Sequence, residues 1–194
     1  MALIVRKPEN DFELTPQGTF IARCYTVVDL GMQSTKFGPK HKIRVGWELT
    51  TELMKDGRPF VTGKDYTASL HPDSLLAQDL TAWRGKAFTD EELAGFDVFK
   101  VAGAPAMITI IHNVTGEKTF ANVTSVTSIP KGTVSPDPVN EKVVFSIEEP
   151  DEAMFAKLPE WLQKKVNRNG MGQAQSPSPD GTPNPPAFDD DIPF

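Results

Sequence analysis

The chain closes on residues that a packed core has no use for. Asp189, Asp190 and Asp191 precede Ile192, Pro193 and Phe194, in the string FDDDIPF. Three acids after a proline-rich stretch keep such a tip solvated. The Phe194 ring, read together with a terminal carboxylate, is a handle that is apolar on one side and anionic on the other. It suits a small greasy pocket ringed by Lys or Arg, a known mode of terminal-carboxylate capture. A second set is basic and aromatic: Arg23, Tyr25, Lys36, Phe37, Lys40, Lys42, Arg44, Phe60, Lys64 and Tyr66. Cations that neutralise phosphates, beside rings that stack on bases, are what holds a single nucleic-acid strand. Covalent chemistry finds no carrier. The GxxxxGK, HExxH and CxxC motifs are all missing, and no Asp or Glu stands two positions before a Lys. Cys24, His41, His71 and His112 are the soft metal ligands, and none are at paired spacing. The expectation is a binding protein without cofactor, metal or catalytic residues, and not an enzyme.

These residues need elements to position them. Phe20 to Leu30 is rich in β-formers and stops at Gly31. Lys42 to Thr50 alternates, with Ile43, Val45, Trp47 and Leu49 on one side and Lys42, Arg44 and Glu48 on the other. Asp56-Gly57 turns the chain into a third strand, Phe60 to Leu70. Asp73 or Ser74 caps a helix carrying Leu75, Leu76, Leu80 and Trp83, and Gly85 stops it. Thr89 with Glu92 forms a capping box. Ala106 to His112 is a fourth strand and Lys118 to Ile129 a fifth, joined at Thr115-Gly116-Glu117. Five strands with a helix between the third and fourth is the order of an OB-fold, a small Greek-key barrel, although other small barrels share the count. The expected class is therefore mainly β, a five-stranded OB barrel with a C-terminal helical appendage and a disordered acidic tail.

On these elements the basic and aromatic residues fall in patterns. Lys42 and Arg44 lie opposite Trp47, whose neighbours in parity mark it as core. Phe60, Lys64 and Tyr66 share one parity of the third strand, and Arg23 and Tyr25 one side of the first. Gln33 to His41, with Lys36, Phe37 and Lys40 around Gly38-Pro39, reads as a loop able to close over a strand. Each ring also has a plain use, since Tyr25, Phe60 and Tyr66 are of the kind that fills a small barrel.

Composition divides the rest. A length of 194 residues suits one domain with appendages. Residues 1–15 are irregular, 16–130 form the barrel, 131–168 form a linker, a short strand and a helical pair, and 169–194 form the tail. The helical pair starts at Pro150-Asp151 and restarts at Pro159. Its apolar residues Met154, Phe155, Leu158, Trp161, Leu162 and Val166 pack on the barrel or, alternatively, make a homo-oligomer contact. Gly170 to Ala187 has almost no hydrophobes and spans roughly 23 Å as a flexible coil. Net charge is −6, from 20 basic and 26 acidic residues. This argues against a blanket of positive charge, but a local basic groove needs only the right distribution. A lone cysteine, no signal-like start and no membrane-length apolar run point to a cytoplasmic protein that does not enter a membrane.

FDDDIPF closely resembles the C-terminal tip of bacterial single-stranded DNA-binding proteins (SSBs), which recruits replication, recombination and repair enzymes. The body resembles phage and prophage OB-fold proteins taken as single-stranded DNA-binding proteins. The matching segments are Gly18-Thr19-Phe20 through Asp29-Leu30-Gly31, Trp47-Glu48-Leu49, and Tyr66 to His71. They continue with Ser74, Leu80, Trp83-Arg84-Gly85-Lys86, Phe88-Thr89 and Leu158-Pro159-Glu160-Trp161-Leu162. The resemblance spans most of residues 17–166. It implies a protein that coats single-stranded DNA in the host bacterial cytoplasm and engages host or phage enzymes through the tip. The alternative is an interaction protein that mimics the host SSB tail to capture or compete for its partners.

Overall fold

The computed structural model describes residues 13–166; residues 1–12 and 167–194 lie outside the described residues, and with them the FDDDIPF tip and the tail before it. The chain is mainly β. Strands β1 (Gly18–Thr35) and β2 (Gly38–Leu53) form a long antiparallel hairpin, followed by β3 (Pro59–Thr67). Helices α1 (Leu75–Arg84) and α2 (Asp90–Ala94) and a 3-10 turn (Val98–Val101) lead to the hairpin β4 (Pro105–Thr115) and β5 (Lys118–Thr127). The short strand β6 (Val143–Phe145) and helices α3 (Glu152–Lys157) and α4 (Glu160–Lys165) follow. The sheet order is β3-β2-β1-β4-β5, with β6 added parallel to Thr26–Val28 in the middle of β1. The end strands β3 and β5 approach each other, and α1 packs against both.

The first hairpin is longer than the sequence pattern suggests. Gln33 to His41 is not a loop: Gln33 pairs with Lys40, Ser34 with Pro39 and Thr35 with Gly38. The β1–β2 ladder thus runs past the end of β3, whose last partner is Lys42, as a two-stranded arm. Pro39 obscured this, yet in a two-stranded arm each strand has one open side where a missing N–H costs little. Thr35 closes the tip: its Oγ1 donates to Gly38 O at 2.6 Å and accepts from Phe37 N at 3.2 Å.

Two bulges in β1 set which side chains face inward. Cys24 pairs with Trp47 and Thr26 with Gly46, leaving Tyr25 as the extra residue. The slip lets Cys24 and Val27 both enter the core despite their odd spacing. A second bulge at Leu30 is held by Gly31 at φ 68° and by the Asp29 carboxylate, which accepts from Gly31 N at 2.8 Å. The main core gathers Ala22, Ile43, Val45, Trp47, Leu49, Ile108 and Ile110, closed by Leu76, Leu80 and Trp83 of α1. Trp47 is core as expected and sits 5.8 Å from Trp83, whose indole N–H donates to Pro105 O at 2.7 Å. Ser74 is the α1 N-cap, Gly85 its left-handed C-cap, and Thr89 and Glu92 form the capping box. Cys24 is buried, and burial pushes its thiol from 9.0 up to about 12, beyond what the backbone groups of Thr26 and Gly103 offset. It is an inert core side chain.

A second, smaller core lies on the opposite side of β1. Val28 and Leu30 meet Val143 and Phe145 of β6 and Leu158, Leu162 and Val166 of the helical pair. Asp151 caps α3, and Pro159 separates α3 from α4. The pair is thus docked on the sheet. No helix among the described residues is long and apolar enough to cross a membrane.

Candidate nucleic-acid interface

The arm tip is the most open of the expected positions. Phe37 is 58% exposed. The ammonium of Lys36 lies 4.9 Å from its ring centroid and that of Lys40 5.5 Å, both in cation–π range. Along β2, Lys40, Lys42 and Arg44 occupy alternate residues and share the outward side. His41 points the other way at the arm base, 2.6 Å from the buried Asp29 carboxylate.

Arg44 lies flat on the sheet because its neighbours lack side chains. A Cβ on Gly63 would come within 2.8 Å of the Arg44 guanidinium. Arg44 reaches Asp65 at 2.6 Å and stacks on Trp161 of α4 at 4.8 Å. Lys165 closes on the other oxygen of Asp65. Burial alone would raise the Asp65 carboxyl, but the Arg44 and Lys165 cations outweigh it and hold it below its ordinary 3.8. A depressed carboxyl contributes stability above its unfolded value. This tie therefore holds at neutral pH and is lost only as pH drops below 3.8 and through the lowered value.

Other expected residues are placed differently. Tyr66 is 2% exposed, and its hydroxyl donates to Asp79 at 2.7 Å. Lys64 binds the same Asp79 oxygen at 2.9 Å and sits over the Tyr66 ring, and Phe60 is half-buried against the main core. The Phe60, Lys64 and Tyr66 parity is thus the inward one: Ile43 pairs with Tyr66 and Val45 with Lys64. The half-buried Asp79 on α1 draws the lysine inward, which β3 alone does not reveal. Tyr66 presents no face to a base here.

Arg23 and Tyr25 are also engaged. The Arg23 guanidinium donates to the carbonyls of Gly103, Ser135 and Pro136 at 3.0–3.1 Å. It pins the 131–142 segment across the outer face of β1. Glu48, which the alternation places toward solvent, is 0% exposed under that segment. Its carboxylate accepts from Val139 N, Asn140 N and Asn140 Nδ2 at 2.7, 2.8 and 2.6 Å. Tyr25 is half-buried at its bulge, its ring close above Gly46. Burial raises its hydroxyl pKa, and the Arg44 charge offsets part of that.

The structure therefore brings together Lys36, Phe37, Lys40, Lys42 and Arg44 on one arm and strand. It places Arg23, Tyr25, Phe60, Lys64 and Tyr66 in structural contacts. Trp161, beside Arg44, is a ring that helical spacing offers to barrel packing or a homo-oligomer contact, and no pattern along the chain links it to β2. The expected partner residues Asp189 to Phe194 lie outside the described residues. Among the described residues no group of three or more His, Cys, Asp or Glu could hold a metal ion. No protein-family model and no curated protein matches the chain.

Proposed function

We propose that this chain is a non-catalytic protein that coats single-stranded DNA formed in phage replication or recombination, and that its FDDDIPF tip recruits replication and repair enzymes. The arm carries this reading: Phe37 is 58% exposed between two lysines, at the end of the Lys40–Lys42–Arg44 row. On this reading Lys36, Lys40 and Lys42 neutralise phosphates and Phe37 stacks on a base. The strand path and α1 between β3 and β4 support an OB barrel, with the β3–β5 approach as its seam. The test is a titration of labelled oligo-dT and of duplex across a salt series. We expect at least about tenfold preference for the single strand, falling with salt as counterions are released. Equal affinity for duplex would sink the proposal.

The tip supports recruitment, and equally the competing role of a mimic of the host SSB tail. A gel shift on oligo-dT separates the two, since only the first reading requires binding. In both, Phe194→Ala should weaken capture of SSB-tail-binding enzymes about thirtyfold, the effect of removing a hot-spot aromatic worth about 2 kcal/mol. Calorimetry with wild-type and Phe194→Ala tail peptides measures it, and equal binding by both would contradict the resemblance of the tip.

A further inference from the structure

The single-strand reading leaves the helical pair as a structural appendage, yet one of its side chains is placed for more. Trp161 is 52% exposed, whereas Trp47 and Trp83 are 0% and 7% exposed. A lone exposed ring would need no explanation. This one is held. The Arg44 guanidinium covers one face at 4.8 Å, and Arg44 is itself fixed by Asp65 at 2.6 Å. The helix beneath is fixed too: Leu158, Leu162 and Val166 are buried in the second core, and Gln33 Nε2 of the arm donates to Lys165 O at 2.9 Å. Trp161 thus sits at the foot of the row Arg44, Lys42, Lys40 that leads to Phe37. Beside it, Asp65 also takes Lys165 of the same helix, and Lys164 is paired with Glu160 at 2.6 Å.

We propose that Trp161 is a base-stacking platform of the single-strand site, so that a strand runs from Phe37 along Lys40 and Lys42 to Trp161. The proposal rests on the single-strand reading above. Its chemistry is sequence-tolerant, because every base offers a π-face and an anchored ring loses little freedom on stacking.

The three tryptophans make the test selective. Full-length protein is titrated with 5′-labelled oligo-dT, following label anisotropy for binding and intrinsic tryptophan emission for stacking. With Trp47 and Trp83 in the core, quenching that tracks the anisotropy is expected from Trp161 alone. Trp161→Phe keeps a ring on Arg44 and should bind within about threefold of wild type while losing the quench. Trp161→Ala, checked for an unchanged thermal melt, should bind about tenfold more weakly. Binding without quenching in the wild type, quenching that survives in Trp161→Phe, or unweakened binding by Trp161→Ala would each overturn the proposal. An absence of any anisotropy change would instead defeat the single-strand reading itself, and this inference with it.

Discussion

Replacing Phe37, Lys40 and Lys42 together by Ala is expected to lower affinity for oligo-dT about a hundredfold while leaving the fold intact. Loss of a stacked aromatic costs roughly 1–3 kcal/mol per base, and each 1.4 kcal/mol is about tenfold. Removing two phosphate-facing lysines adds to this and should flatten the salt dependence by about 1.4 in the log–log slope, at about 0.7 per contact on a single strand. The substitutions spare both hydrophobic cores, since none of the three side chains belongs to either. Anisotropy titrations at several salt concentrations read both effects. An unchanged slope would mean that these lysines touch no phosphate.

The largest effect on stability is expected at Glu48. Its fully buried carboxylate accepts three hydrogen bonds from Val139 and Asn140. Glu48→Ala removes the acceptor of all three and leaves Arg23 as the remaining side-chain tie to residues 135–136. Hydrogen bonds to charged groups contribute about 1.5–3 kcal/mol, and losing a shared ionic acceptor is not additive. About 3 kcal/mol of destabilisation follows, seen as a lower urea midpoint with an unchanged m-value. Proteolytic nicking should appear first within 131–142. Oligo-dT affinity of the folded protein should hold, because Glu48 lies beneath that segment and off the Phe37–Trp161 row. A shift below about 1 kcal/mol would show that the segment is held by other contacts.

Much of the sheet was legible because β2 alternates without interruption. Ile43, Val45, Trp47 and Leu49 point inward as their spacing indicates, and the capping residues mark α1 and α2 closely. What misled was local geometry that no period records. The bulge at Tyr25 shifts the phase of β1, and Pro39 in an open-sided arm mimicked a loop. Contacts between distant segments were invisible for another reason. Asp79 draws Lys64 and Tyr66 together, Glu48 is roofed by residues 139–140, and Arg44 meets Trp161 far along the chain. In each case a charged side chain that looked solvated is satisfied by a partner that the chain brings back from elsewhere. Of the basic-aromatic set, Arg23, Tyr25, Phe60, Lys64 and Tyr66 are engaged within the fold, and Lys36, Phe37, Lys40, Lys42 and Arg44 share the arm and β2.

The most direct measurement is amide chemical-shift mapping of the full chain on stepwise addition of oligo-dT. Shifts should concentrate on residues 36–44 and 161–165, with the Trp161 indole N–H moving and those of Trp47 and Trp83 still. Shifts confined to other surfaces, or none at saturating oligonucleotide, would contradict a single-strand site running from the arm tip to α4.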